Sequence, residues 1–150
     1  MLMGRNPAMQ NDETQKIFVD ADAFVSIFHS TDRNHNQALL ISNHLKTKNI
    51  LLITSNLAIG EAITVISQDV GLAEAVAFGN KVFSGDTQII YVDKNQELKA
   101  LDNFAKATSK NVRFTDFVNM VLMDELRIDT IFSFDKHYPQ SGYKLLSIPS

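Results

Sequence analysis

Residues 112–138, VRFTDFVNMVLMDELRIDTIFSFDKHY, decide the fold because they join an amphipathic helix to a short buried strand. Hydrophobic side chains recur at helical spacing over residues 115–126, and the hydroxyl of Thr115 can cap this helix. The TIFSF segment that follows is aromatic, β-branched and uncharged, which is typical of a buried strand. A helix of about twelve residues spans roughly 18 Å, and a strand of about five residues covers roughly 16 Å in the opposite direction. Asp116 and Asp135 are therefore predicted to share one edge of a sheet.

The rest of the chain alternates apolar, β-branched segments with amphipathic segments. The predicted strands are residues 16–20, 50–54, 87–92 and 143–147, and the predicted helices are residues 21–28, 34–46, 56–68, 71–84 and 94–109. Such alternation is typical of a mostly parallel sheet that is covered by helices on both faces. We therefore predict an α/β fold, a three-layer sandwich with a central sheet of about five strands.

Length and composition favour one globular domain. The chain has 150 residues, of which 45% are hydrophobic, and a domain of this size buries about two-thirds of its unfolded surface. Residues 1–15 lack the apolar core of a signal peptide and are predicted to be a flexible extension. No apolar run approaches the length that spans a membrane. The absence of cysteine excludes thiolate metal sites and a cysteine nucleophile, and it favours the reducing cytoplasm.

Four acidic residues are predicted to meet where the strands end. Asp20 ends the first strand, Glu61 lies in the second turn of the helix after the second strand, and Asp116 and Asp135 lie at the same edge. Ligands of such folds gather beyond the carboxyl ends of the strands. Glu61 is the only charged residue within positions 49–68, and a carboxylate in apolar surroundings is costly unless it has a partner.

A bound hard cation is the simplest way to keep four neighbouring carboxylates ionised. Mg²⁺ or Mn²⁺ suits oxygen ligands, whereas the chain has neither the cysteines nor the HExxH pair that zinc sites often use. Such a site supports metal-assisted phosphodiester hydrolysis. The net charge of −3 argues against a general nucleic-acid-binding surface. It does not exclude a nuclease, because local basic patches can guide phosphates.

The order of four short motifs resembles the PIN-domain family, especially the VapC-type toxin ribonucleases. The motifs are FVDADAF around Asp20, SNLAIGEAI around Glu61, FTD at Asp116, and TIFSFDKHY. The resemblance implies a PIN-like nuclease domain over residues 16–150, with a central parallel sheet and Mg²⁺- or Mn²⁺-dependent cleavage of RNA. It also implies a homodimer and a cognate antitoxin that inhibits the protein.

The resemblance assigns roles position by position. Asp20, Glu61 and Asp116 match the metal-binding acids of the family, and Asp135 matches its more variable fourth acid. Thr115 matches the Ser or Thr that often precedes the third acid.

Three residues, namely Asp22, Thr115 and Asn119, are predicted to lie just behind the metal ligands. Asp22 falls where the toxins often carry a neutral polar residue. Three interpretations of Asp22 are open: it is an extra metal ligand, a group that supports the ligands, or an ordinary surface acid. Tyr138 stands where Phe is frequent, which we interpret as a minor change.

Each acid also has a purely structural alternative. Asp116 could favour the positive end of its helix, and Asp20 and Asp135 could be loop-forming residues after strands. Asp93 illustrates this alternative, because it also follows a strand but resembles a capping box with Gln96.

The neighbouring cationic residues admit two interpretations. Glu61 could form a buried ion pair with Lys136 or Arg113. Lys136, Arg113 and Arg33 could instead meet RNA phosphates near the mouth of the site, although solvated charge is the simpler prediction. The four histidines show no ligand spacing, and among them only His137 neighbours a candidate acid, Asp135.

Two other functions compete with the nuclease. One is a catalytically silent PIN-like module that binds RNA or a protein. The other is a receiver-like signalling domain, which also clusters acids around Mg²⁺ at strand ends. That domain needs a phosphate-accepting Asp after the third strand, and it gives Glu61 and Asp135 no role.

Overall fold

The computed structural model describes residues 14–148 as five strands and seven helices. The strands are β1 (Gln15–Val19), β2 (Ile50–Ser55), β3 (Gln88–Ile90), β4 (Thr130–Phe132) and β5 (Lys144–Leu145). The helices are α1 (Ala21–Phe28), α2 (His35–Lys46), α3 (Asn56–Asp69), α4 (Leu72–Ser84), α5 (Lys94–Ala105), α6 (Phe114–Leu126) and α7 (His137–Gln140). Positions 1–13 of the predicted extension lie outside the described residues. Within the described part, no helix is long and apolar enough to cross a membrane.

The strands form one sheet in the order β3-β2-β1-β4-β5, and every neighbouring pair is parallel. β1 lies at the centre, where Phe18 aligns with Ile53 of β2 and with Ile131 of β4. Parallel neighbours need crossover connections, and helices supply them here. The predicted α/β sandwich with about five strands is therefore confirmed.

Alternate residues of β1 face two separate cores. Ile17 and Val19 pack against α1 to α4, whereas Phe18 packs on the opposite face against α5, α6 and α7. All three side chains are almost completely buried. Because successive side chains of a strand point to opposite faces, one short apolar strand supports both helical layers. The position at which this strand ends is consequently fixed from both sides.

The start of α6 differs from the prediction. The helix begins at Phe114, so Thr115 lies inside its first turn and the predicted cap at Thr115 is wrong. Arg113 is the N-cap residue, and the carboxylate of Asp116 accepts a hydrogen bond of 3.1 Å from the backbone N–H of Arg113. An acid at this position reaches back to the first free N–H of the helix, as in a capping box.

Two other predicted caps are confirmed. Ser55 accepts a hydrogen bond of 3.0 Å from the backbone N–H of Ala58 at the start of α3. Asp93 and Gln96 form the predicted capping box of α5. α5 ends at Ala105 rather than at position 109. Ser109 instead accepts a hydrogen bond from the backbone N–H of Asn111, which is a local contact that competes with helix formation.

Candidate active site

A cleft of about 700 Å³ opens beyond the carboxyl end of the sheet. Its walls come from the segments that follow β1 and β4 and from α1, α3 and the start of α6. The charged lining contains an excess of acids over bases, namely Asp20, Asp22, Asp32, Glu61, Asp69, Asp116 and Asp135 against Arg33, Arg113 and Lys136. The structure therefore brings all four predicted metal ligands into one cleft, together with the three cations that the sequence analysis considered as possible phosphate contacts.

Asp20 is held at the bottom of the cleft by three donors. It is the N-cap residue of α1, and its Oδ1 accepts a hydrogen bond of 2.8 Å from the backbone N–H of Ala21. The same oxygen accepts a second hydrogen bond from Asn119 Nδ2 at 3.0 Å. Ser133 Oγ donates to the other oxygen at 2.9 Å. The side chain is only 4% exposed, so its orientation is determined by these contacts.

Asp116 is similarly buried on the opposite wall. Its Oδ2 accepts the backbone N–H of Arg113, and its Oδ1 accepts a hydrogen bond of 3.3 Å from the hydroxyl of Tyr138. The residue is 4% exposed. Both of its oxygens thus have partners in the protein, and α6 presents the carboxylate from its first turn.

Burial makes the ionised forms of these acids unfavourable. Burial raises the pKa of Asp20 well above its usual range, and the charges of Asp22 and Asp116 raise it further. Burial also raises the pKa of Asp116, against the hydrogen bond from Arg113, which lowers it. A positive ion among these carboxylates acts in the opposite direction and stabilises their charged forms.

Asp22 is not an ordinary surface acid. Its Oδ2 accepts a hydrogen bond of 2.9 Å from the backbone N–H of Phe134 and lies 3.2 Å from Ser133 Oγ, whose single proton it shares with Asp20. Its Oδ1 is buried and has no hydrogen-bond partner within residues 14–148. Burial raises the pKa of Asp22 to about 6. The side chain therefore ties α1 to the segment after β4 and keeps one oxygen free for a ligand.

Glu61 lies at the mouth of the cleft, where it forms an ion pair with the guanidinium of Arg113. The side chains are 19% and 65% exposed, so water screens this pair more than a buried one. The hydrogen bond to Glu61, and then its charge, raise the pKa of Arg113. One of the two ion pairs considered from the sequence is thus present, and Glu61 also faces the other acids.

His137 joins the site although its position in the sequence gave no ligand spacing. Its backbone N–H donates to Asp135 Oδ1 at 2.9 Å, and its Nδ1 lies 2.7 Å from that same oxygen. Nδ1 has no partner of hydrogen-bond geometry in the described part of the chain. Adjacency to Asp135 was the only signal that could have identified it.

The donor atoms of Asp116, Asp135 and His137 lie within 4.8 Å of one another, which is a separation that one cation can bridge. Asp20 and Glu61 do not belong to this closest set. Carboxylate oxygens are the ligands that Mg²⁺ and Mn²⁺ prefer, and an imidazole is a ligand of zinc and other transition metals. The residues present therefore fit a hard divalent cation.

Thr115 and Asn119, the other two residues predicted to lie behind the metal ligands, occupy different positions relative to the cleft. Thr115 lies outside the lining of the cleft. Asn119 is fully buried directly behind the cleft and contacts Asp20. Asn119 therefore has the position that the sequence predicted for a supporting residue, whereas Thr115 does not line the cleft.

Residues 17–142 match the family model of the PIN domain, and the chain therefore belongs to the PIN-domain family. This membership removes the receiver-like interpretation. Among solved structures, the fold is similar to that of VapC20 from Mycobacterium tuberculosis, a toxin that cleaves the sarcin-ricin loop. The TM-score is 0.76 at 22% sequence identity, covering 85% of this chain and 95% of VapC20. No curated protein sequence matches the chain.

Proposed function

We propose that this protein is a metal-dependent endoribonuclease and the toxin of a type II toxin–antitoxin pair. The observation that carries the proposal is the convergence of Asp20, Asp116 and Asp135 from three elements on one cleft, with the first two buried. Buried carboxylates with raised pKa values in a cleft are typical of functional sites, because stability alone disfavours them. Membership of the PIN family and the fold shared with VapC20 support the same assignment.

The acids would hold Mg²⁺ or Mn²⁺, with Asp116 and Asp135 each supplying an oxygen and His137 an imidazole nitrogen. Asp20 and Glu61 face the same space from the other walls. The cation, when bound, activates water and polarises the scissile phosphate. The fixed carboxylates orient this chemistry, since hydrogen bonds hold Asp20 and Asp116 before any ligand arrives.

Arg33 and Lys136 offer positive charge at the rim of the acidic cleft. Local cations of this kind attract phosphates and position a nucleic-acid backbone without reading its sequence. Arg113 neutralises Glu61 at the same rim. The arrangement suits an RNA backbone that lies across the mouth while one phosphate approaches the buried acids.

A cleavage assay with matched aspartate variants tests this proposal. Asp20 and Asp93 each follow a strand and each cap a helix, but only Asp20 lines the cleft. Asp20→Ala and Asp93→Ala should therefore lose similar capping energy, about 1 kcal/mol. We expect Asp20→Ala to cleave RNA at least about 100-fold more slowly than the wild type, because it removes a preorganised charge, and Asp93→Ala to retain normal activity.

The assay uses a broad panel of structured RNAs with Mn²⁺, and EDTA should stop cleavage by the wild type. Cleavage that continues in EDTA would contradict the metal requirement. Equal activity of the wild type and Asp20→Ala across the panel would contradict the proposed site.

The second candidate is a catalytically silent PIN-like module that binds RNA or a protein. The ion pair between Arg113 and Glu61 favours it, because a side-chain cation already occupies one predicted metal ligand. RNA binding that persists in EDTA, without cleavage in any divalent metal, would support this function over the nuclease.

We also propose that the protein forms a homodimer, acts in the cytoplasm and is inhibited by a cognate antitoxin. Leu72, Val76 and Phe83 of α4 are 75%, 54% and 58% exposed. Their spacing places them on one face of the helix. An exposed apolar face of this kind is suited to covering by a protein partner.

A further inference from the structure

An amide and a phenol connect two of the acids behind the cleft. Asn119 Nδ2 lies 3.0 Å from Asp20 Oδ1 and 2.9 Å from Tyr138 Oη. Tyr138 Oη in turn lies 3.3 Å from Asp116 Oδ1. Asn119 and Tyr138 are both 0% exposed. The four side chains therefore form one water-excluded chain from the segment after β1, through α6 and α7, and back to the start of α6.

When Asp20 and Asp116 are both ionised, as they are beside a bound cation, the hydrogen bonds of this chain run in one direction. The amide must direct one N–H at Asp20, because its carbonyl oxygen would meet the carboxylate as a second acceptor. The other N–H of Asn119 then donates to Tyr138 Oη. The hydroxyl proton of Tyr138 is left to donate to Asp116. The hydrogen bonds consequently end on a carboxylate at both ends, on Asp20 at one end and on Asp116 at the other.

We propose that Asn119 and Tyr138 are positioning residues that hold the carboxylates of Asp20 and Asp116 in the orientation that binds the divalent cation. This inference rests on the proposed function. Partners that lie one step behind metal-binding side chains fix ligand orientation and metal affinity in many proteins. Ligands that are held in place before binding also lose less freedom when the ion arrives.

One feature of the chain of bonds is unfavourable for stability alone. Asn119 Oδ1 is buried and has no hydrogen-bond partner among residues 14–148. Buried acceptors are nearly always satisfied in folded proteins. Asn119 instead directs both of its contacts towards Asp20 and Tyr138, as expected if the orientation of the acids matters more than the unpaired oxygen.

α7 connects the same arrangement to the fourth acid. The backbone N–H of Tyr138 donates to the carbonyl of Asp135, and the N–H of His137 donates to the Asp135 carboxylate. One short turn therefore carries both the phenol and the Asp135 side chain. A displacement of Tyr138 would move the acid that faces Asp116 across the cleft.

A second tyrosine provides a matched control. Tyr143 donates to Asp124 Oδ1 at the opposite end of α6, at a distance of 2.6 Å. This pair lies outside the acidic cleft. Tyr138→Phe and Tyr143→Phe each remove one hydroxyl from an aspartate of the same helix, and only the first removes it from a predicted metal ligand.

The test measures Mn²⁺ affinity of the metal-free full-length protein by calorimetric titration, with the Tm of each variant measured in parallel. We expect Tyr138→Phe to bind Mn²⁺ about tenfold or more weakly, within the range of about 10–100-fold for groups behind metal ligands. Tyr143→Phe should bind Mn²⁺ as the wild type does. Wild-type affinity in a folded Tyr138→Phe protein would overturn the inference, even where Tm falls.

Asn119→Leu and the double variant with Tyr138→Phe test whether the two residues act together. Parts of one network are not additive, so the double variant should lose less affinity than the product of the two single losses. A loss equal to that product would overturn the shared role. A wild-type protein that neither binds Mn²⁺ nor cleaves RNA would overturn the proposed function and this inference together. If the wild type cleaves RNA, the Mn²⁺ affinities of the variants test this inference alone.

Discussion

The two ends of α6 carry the same chemical pair in different surroundings. At its start, Asp116 accepts a hydrogen bond of 3.3 Å from Tyr138. Near its end, Asp124 accepts one of 2.6 Å from Tyr143. The shorter bond is exposed, whereas the longer one is buried and continues through Asn119 to a second acid. The difference shows that the surroundings of an acid, rather than the length of one hydrogen bond, indicate its use.

The pKa values of the ionisable side chains also differ between the two ends of α6 because their surroundings differ. Burial raises the pKa of Asp116, and the neighbouring charges of Asp135 and Glu61 add to the effect. At the other end, burial and the bond to Asp124 raise the pKa of Tyr143, so the phenol keeps its proton. The start of α6 therefore gathers several negative charges that a cation can bind, whereas its end pairs one exposed aspartate with a protonated phenol.

The largest expected effect comes from removing one charge at each end of the helix. Asp116→Asn keeps the size of the side chain but loses the charge in the cleft, so RNA cleavage should fall at least about 100-fold. Asp124→Asn should cleave RNA at the wild-type rate. Initial rates on one RNA substrate with Mn²⁺ check both variants. An equal loss of cleavage rate in the two variants would contradict a functional difference between the two ends of α6.

An intermediate effect should appear in the pH dependence of stability without metal. The pKa of Asp22 is raised from 3.8 to about 6 in the folded protein. Protonated Asp22 therefore contributes to the free energy of unfolding. This contribution is fully present below the pKa of Asp22 in the unfolded chain and is lost as the pH rises through about 6, its pKa in the folded protein. A shift of about two units corresponds to about 3 kcal/mol as an upper value.

Asp22→Asn should therefore unfold with a free energy close to that of the wild type at pH 4 and with a higher one at pH 8. Urea denaturation of the metal-free proteins at a series of pH values measures the difference. Parallel pH profiles of the two proteins would show that burial does not hold Asp22 in its protonated form.

The smallest expected effect concerns Arg113, whose backbone caps α6 while its side chain pairs with Glu61. Arg113→Gln removes only the side-chain contact. Because the guanidinium is largely exposed, the free energy of unfolding should change by no more than about 1 kcal/mol. Denaturation at low salt and in 1 M NaCl provides the measurement. A decrease of several kcal/mol in the free energy of unfolding would contradict this expectation and show that the ion pair behaves as a buried one.

The periodicity of the chain predicted most of the fold. The apolar strand of β1 and the helix of α1 appear where expected because strand and helix patterns depend on neighbouring residues. Ser55 and Asp93 cap α3 and α5 for the same local reason. The predicted α6 cap at Thr115 is wrong, because the helix begins one residue earlier, at Phe114, where the carboxylate of Asp116 accepts the N–H of Arg113.

The site was predictable to a lesser extent. The alternation of strands and helices indicated that Asp20, Glu61, Asp116 and Asp135 would share an edge, and all four line the cleft. His137 was not predicted as a site residue, because a four-residue helix has too few positions to give a periodic signal. Tyr138 was interpreted as a minor change from Phe, but its hydroxyl contacts Asp116.

The sequence by itself determined the α/β sandwich and the edge at which the acids gather, because both follow from local apolar patterns and the direction of parallel strands. Only the tertiary structure decided which partners those acids have. Asp20 and Asn119 are 99 positions apart, and Glu61 and Arg113 are 52 apart. Contacts over such separations depend on how the layers pack, and no periodic pattern along the chain records them.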